Sequence, residues 1–289
     1  EHGMKFILQH GFAENGKMYF SVDRHGRPLR MRRYVFSETF AVMAMASLSR
    51  ARNDRALAAK ALSLFKRIID YYTTPGMIEP KFDPTTRPMR GMSMPMIIMS
   101  TAQVLRQAVD DPLCVEWIDR SIAEIERHFM NHEYKAVLEL AGPNGELIDT
   151  LEGRTLTPGH AIEVAWFILH EAKLRGNDSR LRQIALTILD WMWEHGWDKE
   201  HGGLLYYVDV KGLPCSEYWH DMKFWWPHNE TIIAALLAHF LTGQDKYLKM
   251  FRQVHDWTYA HFPDPEYGEW FGYLHRDGGV SSTLKGNQW

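Results

Sequence analysis

The sequence predicts an all-α protein, a closed α/α toroid of helical pairs with short β-hairpin inserts, on three observations. Apolar residues recur at helical spacing in stretch after stretch of the chain. Pro95, Pro158 and Pro227 each sit at a helix start, 63 and 69 residues apart, and Ser37 lies 58 before Pro95. Each unit so marked reads helix, helix, strand-like insert. Repeated pairs of this size bury their apolar faces on their neighbours, either as an open solenoid or as a ring with the first helix of each pair inside; the ring is the reading favoured here. At this period 289 residues give fewer than five pairs. The chain is therefore read as one α/α domain over 1–289, incomplete at both ends, lacking the first helical pair and the last helix of a six-pair ring.

Taken in order, the first residues read as the end of a helix running into a Gly-punctuated loop. Two strand-like runs follow, Met18 to Val22 and a return after Asp23 to Gly26, as a hairpin. Tyr34 to Arg50 is continuous helical pattern with Ser37 as its cap, and Asn53-Asp54 separates it from a helix over Ala56 to Tyr72. Thr73 to Arg90, rich in Pro and Thr, is loop. Met94 to about Val109 and Pro112 to Phe129 are the next pair, followed by a hairpin-like insert, LELAGPNGELIDT, turning at Gly142 to Gly145. Thr157 caps the next helix, Pro158 suits its first position, and Arg175-Gly176-Asn177 ends it. Ser179 to Glu194 is its partner. A third hairpin, HGWDKEHGGLLYYVDVKGLP, precedes the pair Pro227 to Leu241 and Gln244 to His261, and PDPEYGEWFGYLHRDG is the fourth.

Composition narrows the function classes. At 45% hydrophobic and 24% charged the chain can bury a large core, and no run approaches the roughly 18 to 20 apolar residues of a membrane span. EHGMKFIL lacks the charged start and long apolar core of a signal peptide, which favours the cytoplasm. A net charge of −3, with one short basic cluster from Arg27 to Arg33, argues against a nucleic-acid surface. Cys114 and Cys215, far apart, make neither a disulfide framework nor a metal spacing. The unusual counts are 15 His and 11 Trp, which suit a cleft where rings stack on sugar faces and imidazoles bond hydroxyls, though helical cores also use Trp.

The candidate chemistry sits at the helix starts. His160 and Glu163 are three apart in TPGHAIEVAWFILH, so they share a face, set apart from the stripe Ile162, Trp166 and Leu169. In the first turn the helix dipole disfavours imidazolium and Glu163 favours it, leaving an imidazole that exchanges protons near neutral pH. One unit later, KFWWPHNE repeats the layout with Trp225, Trp226, His228 and Glu230. His228 and Glu230 are two apart, so at most one faces a cavity on a regular helix, and one of the two Trp is expected to do only core packing. The first turns carrying Glu38, Arg90, His160/Glu163 and His228/Glu230 are expected to open on one common cavity. His128 and His132 have the i, i+4 spacing of helical metal ligands without a third ligand nearby, so no metal site is expected.

Beyond these patterns, the stretches YFSVDRHGRPLRMRRYVFSETFAVMA, SMPMIIM, TPGHAIEVAWFILHEA, KFWWPHNETIIAALL and FPDPEYGEWFGYLHRDG, in this order over nearly the whole chain, resemble the N-acylglucosamine 2-epimerase family. The resemblance implies an (α/α)6 barrel and interconversion of N-acetylglucosamine and N-acetylmannosamine, or a related aldose 2-epimerisation or isomerisation. It implies His160 as one catalytic histidine with Glu163 beside it; His228, Glu230, Trp225, Trp226, Arg90 and Glu38 are read as substrate-binding residues from their places at the helix starts. It also implies no cofactor for the chemistry, ATP as a non-consumed activator, and a homodimer. The family's second catalytic histidine follows a Lys-Gly pair, and this chain stops at LKGNQW. A segment beyond Trp289 is therefore expected to carry it. The rivals are an inverting glycoside hydrolase using Glu163 and Glu230 as its carboxylate pair, and a protein-binding module without catalysis.

Overall fold

Ten helices alternate with five short antiparallel ladders in the computed structural model, which describes residues 1–32, 34–79 and 83–285. Gly286 of the Lys-Gly pair lies outside the described residues, as does Arg33 of the basic cluster. The helices are α1 (His2–His10), α2 (Phe36–Arg52), α3 (Arg55–Thr73), α4 (Ser93–Leu105), α5 (Pro112–His128), the single turn α6 (Leu151–Arg154), α7 (Pro158–Leu174), α8 (Ser179–Gly196), α9 (Trp225–Thr242) and α10 (Asp245–His261). The chain, read from sequence as a single domain, divides into two compact units: Glu1–Met89 with Met94–Glu124, and Arg90–Ser93 with Ile125–Trp289. Among the described residues no helix is long and apolar enough to cross a membrane.

Local chemistry sets the helix ends. Asp54 accepts the Leu57 N–H at 3.0 Å to start α3, and Asp178 does the same for Leu181 at 2.9 Å to start α8. The expected caps Ser37 and Thr157 make no such bond: Ser37 lies inside the first turn of α2, and the Thr157 side chain does not cap α7. Pro227 is the third residue of α9, not the first, so Trp225 and Trp226 belong to the helix. The shift costs no hydrogen bond, because the first four N–H groups of a helix have no partner within it.

In the second unit the helices are of two kinds. Ala161, Ile162, Val164, Ala165, Ile168, Leu169 and Ala172 of α7 are all fully buried, and with buried Phe167 and Glu171 they close most of the helix surface, leaving partly open the face of Glu163, Trp166 and His170. α10 buries the single stripe Tyr247, Met250, Val254 and Thr258. A helix buried over most of its surface is an inner helix, and one with a single stripe faces solvent on its other side. α7 packs against α8 and α9, and α9 against α10. In the first unit α2 packs on α3, and the hairpin Tyr19–Val22 with Pro28–Met31 forms as expected.

The other inserts turn back on themselves as read from sequence, through the Gly142–Glu146 turn and the antiparallel bridges Trp197–Leu204 and Pro263–Trp270, and they also make long-range ladders not read from sequence. Leu140–Ala141 pairs with Arg90–Gly91, Val208–Asp209 with Thr155–Leu156, and Tyr273–Leu274 with Lys223–Phe224. In the last two cases the strand that enters an inner helix, α7 or α9, is held by the insert after the following outer helix. That stitching fixes the starts of α7 and α9, where most of the candidate residues sit.

Candidate active site

The first turns of α7 and α9 lie side by side because Gly159 has no side chain. A Cβ built there would stand 2.8 Å from Pro227 Cβ and 2.8 Å from the Trp226 ring. Trp226 occupies that space and reaches the His160 imidazole, with ring centroids 5.1 Å apart and tilted by 35°. Tyr206 meets Trp226 edge-on at 6.0 Å and stacks on Phe224 at 3.8 Å. The Tyr207 ring lies 4.3 Å from that of Tyr206, tilted by 49°. The result is an aromatic wall beside a histidine whose side chain is 32% exposed, open enough to meet a ligand.

Three carboxyls surround that histidine. Glu139, between Ala136–Val137 and Leu140–Ala141, places Oε2 3.1 Å from His160 Nδ1. An ionised carboxylate only accepts, so Nδ1 carries the proton and Nε2 is left to exchange one. Burial alone would lower the His160 pKa, but Glu139 first, then Glu163 and Glu230, outweigh it and the pKa is raised. Burial pushes Glu163 up to about 7, with the Glu230 charge adding and His160 opposing. Glu230 is also raised by burial, against the Trp166 indole N–H that donates to its Oε2 at 2.6 Å and the nearby His160. Around neutral pH the cluster therefore shares protons among an imidazole and buried carboxyls, the arrangement proton transfer needs.

Of the residues expected at the site, His160, Glu163, Glu230 and Trp226 come together. His228 does not. It is fully buried, Nδ1 is 2.7 Å from the Phe224 carbonyl, and Nε2 accepts the Leu204 N–H at 2.9 Å. Both nitrogens serve the backbone, and burial pushes its pKa down to about 3, so the sugar-binding assignment of His228 is replaced by a core role. This agrees with the two-residue spacing, which allows only one of His228 and Glu230 to face outward. The Trp225 indole nitrogen is buried and has no hydrogen-bond partner among the described residues. Arg90 is exposed and its Nε donates to the Pro143 carbonyl at 2.8 Å, holding it to the Gly142–Gly145 turn. Glu38 belongs to the first unit, 1% exposed, where Oε1 accepts the Met18 N–H at 2.8 Å and anchors the neighbouring hairpin to α2; burial raises its pKa.

Two residues of the cluster are not read as site residues from sequence. Trp166 is not core stripe but a donor to Glu230, three residues on from Glu163 and so on the same face. Glu139 stands between Leu138 and Leu140, a lone carboxylate in an apolar run, and that was its one signal. Among the described residues no three His, Cys, Asp or Glu side chains are grouped to hold a metal ion; the His132 ring packs edge-on to Trp191 at 5.1 Å.

Comparison with known proteins adds three findings. The family described as N-acylglucosamine 2-epimerase (GlcNAc 2-epimerase) matches residues 1–289. The N-acylglucosamine 2-epimerase of Bos taurus is 37% identical over 93% of this chain and 64% of its own length, and that of Homo sapiens 33% identical over 98% and 67%. The chain thus spans about two thirds of the length of these relatives. Among solved structures, the cellobiose 2-epimerase of Bacillus thermoamylovorans B4167 superposes with a TM-score of 0.81 at 19% identity, covering 97% of this chain and 74% of that one. At that identity the likeness shows the fold, the all-α class of the (α/α)6 barrel epimerases and isomerases.

Proposed function

The chain belongs to the N-acylglucosamine 2-epimerase family, and on that premise we propose that it interconverts N-acetylglucosamine and N-acetylmannosamine by proton transfer at C2 of the open-chain sugar. The observation that carries the reading is the His160–Glu139 pair, 3.1 Å apart, in one cluster with Glu163 and Glu230. In the open-chain sugar the C1 carbonyl acidifies the C2 proton. His160 Nε2 takes that proton and becomes imidazolium, stabilised by Glu139, while the electron pair of the C–H bond passes into a C1–C2 enolate with its charge on O1. Glu163, with a pKa of about 7, supplies a neutral carboxylic acid that donates a hydrogen bond to that charge. A second acid returns a proton to C2 on the opposite face, which inverts the centre. In this proposal that acid is the second histidine that the family resemblance implies after a Lys-Gly pair.

Trp226 and the Tyr206/Tyr207 pair provide flat faces for the sugar, and Glu230, held by Trp166, accepts a hydroxyl. Every step runs on side chains and on the sugar's own carbonyl; ATP enters the proposal only as an activator that is not consumed. Two free thiols, Cys114 buried and Cys215 partly so, support a reducing compartment such as the cytoplasm.

The test is proton NMR of the full-length protein in D2O with N-acetylglucosamine, mannose and cellobiose in separate tubes, with and without ATP. The reading expects N-acetylmannosamine to appear with deuterium at C2. Glucose released from cellobiose would support the hydrolase rival, and a spectrum unchanged in all tubes would sink the epimerase reading.

A further inference from the structure

Behind the aromatic wall lies a charged group that the proposed chemistry does not use. Lys223 is fully buried, and its Nζ donates to Asp198 Oδ2 at 2.9 Å and to the Gly203 carbonyl at 3.4 Å. Arg276 grips the same carboxylate from the other side, Nε to Oδ2 at 2.8 Å and Nη2 to Oδ1 at 3.2 Å. Oδ1 also accepts the backbone N–H groups of Glu200 and His201 at 3.0 and 3.2 Å. Burial would raise the Asp198 pKa, but Arg276 and then Lys223 hold it far below the usual carboxylate range. Burial lowers Lys223 to about 8, so it is still charged at neutral pH. One buried carboxylate thus carries two cations and two backbone donors.

The place of this clasp gives it a role. Lys223 and Leu274 are cross-strand partners in the ladder that enters α9, and Arg276 is two residues past Leu274. By holding both Lys223 and Arg276, Asp198 ties the two strands of that ladder to the turn after α8. Phe224, next to Lys223, is the platform on which Tyr206 stacks, and Trp226 is two residues further on. Any slip of the ladder therefore moves both Tyr206 and Trp226 relative to His160. Buried ion pairs give little net stability, and the best-attested use of such pairs is to fix one arrangement over another.

We propose that Asp198, with Lys223 and Arg276, is a positioning device for the sugar-facing wall of Tyr206 and Trp226. The proposal rests on the epimerase reading for its substrate, and on the geometry alone for the motion of the wall. Arg276→Gln is the informative variant. The Arg276 side chain is 41% exposed, so its replacement leaves the buried Lys223–Asp198 pair in place and the fold intact. The wall contacts sugar in ground and transition states alike. Its displacement should raise KM for N-acetylglucosamine about tenfold while kcat stays within about twofold. Arg276→Lys keeps the cation but loses the two-pronged grip, and should recover only part of the affinity.

A second readout is independent of turnover. The NMR shift of the His160 ring proton, assigned with His160→Gln, senses the Trp226 ring 5.1 Å away and should move in Arg276→Gln. Unchanged KM and an unchanged His160 shift, with only a lower melting temperature, would reduce the clasp to a structural ion pair and overturn the proposal. If the unaltered protein neither binds nor converts N-acetylglucosamine, the function reading fails. The His160 shift then decides the clasp by itself: movement supports it and constancy overturns it.

Discussion

Gly159→Ala adds one methyl group at the closest approach of α7 and α9. The new Cβ would lie 2.8 Å from Pro227 Cβ, 2.8 Å from Trp226 Cζ3 and 2.9 Å from Trp226 Cη2. Ordinary carbon contacts are about 3.5–4.0 Å, so the neighbours must retreat by roughly 1 Å. Pro227 is buried within α9 and can move only with that helix, whereas the Trp226 ring can swing. Alanine gains about 1 kcal/mol over glycine inside a helix, and overpacking costs about 1–3 kcal/mol, which leaves a net loss of about 0–2 kcal/mol. In a chain of this size that is a fall in Tm of at most about 8 °C. The larger effect falls on the site, because the Trp226 ring is driven onto the His160 imidazole and shifts that reacting group itself, which a slip of the wall alone does not do. A misplacement of about 1 Å at a reacting group can lower the rate about a hundredfold. Turnover of N-acetylglucosamine, Tm and tryptophan emission, measured on one preparation, give the answer. A variant about 1 kcal/mol more stable than its parent with full turnover would show helix propensity acting alone, and would refute the wedging of Trp226 over Gly159.

Two further outcomes follow from the titrating groups. Glu163 has a folded pKa of about 7 against an ordinary value of 4.5, so the folded state holds a proton that the unfolded chain releases between those values. Its stabilising contribution is present below pH 4.5 and lost as pH rises through 7; Glu163→Gln should therefore gain in Tm relative to the parent from about pH 5 to about pH 8, and a constant difference across that range would contradict the burial assigned to it. His228 runs the other way: with a folded pKa of about 3 against 6.5, its contribution is present above pH 6.5 and lost as pH falls toward 3. His228→Phe leaves the Leu204 N–H and the Phe224 carbonyl unpaired, at roughly 1–3 kcal/mol each, and thermal melts should show that loss shrinking in acid while sugar affinity at neutral pH is kept. Affinity lost with stability unchanged would return His228 to the site.

How much of this was legible in the sequence depended on the range of the interaction that decides each feature. Helical period is local, and the pairs around Pro158 and Pro227 were readable to within a few residues of their ends. His160 and Glu163 were readable because three residues along a helix fix a common face. Long-range strand pairing was not. Val208–Asp209 and Tyr273–Leu274 are two residues long, too short to show alternation, and their partners lie a full helical pair away in the chain. Trp166 reads as core by hydropathy, and only Glu230, 64 residues on, makes it a donor at the site. Glu139 was hidden for the same reason, since the histidine it orients is 21 residues away across a turn and a short helix. His228 shows the reverse error: its motif position matched, yet the motif says nothing of the Leu204 N–H that consumes its second nitrogen from another part of the chain.

The central claim is that His160 moves the C2 proton, and the direct measurement is loss of deuterium from C2-deuterated N-acetylglucosamine in H2O, comparing the parent with His160→Ala. A positioned acid or base contributes roughly a hundred- to ten-thousand-fold, so washout should fall by at least two orders of magnitude while binding of the sugar, followed by titration, changes far less. Washout in His160→Ala at the parental rate, with or without a lower Tm, would contradict the account and leave His160 as a residue that only packs at the start of α7.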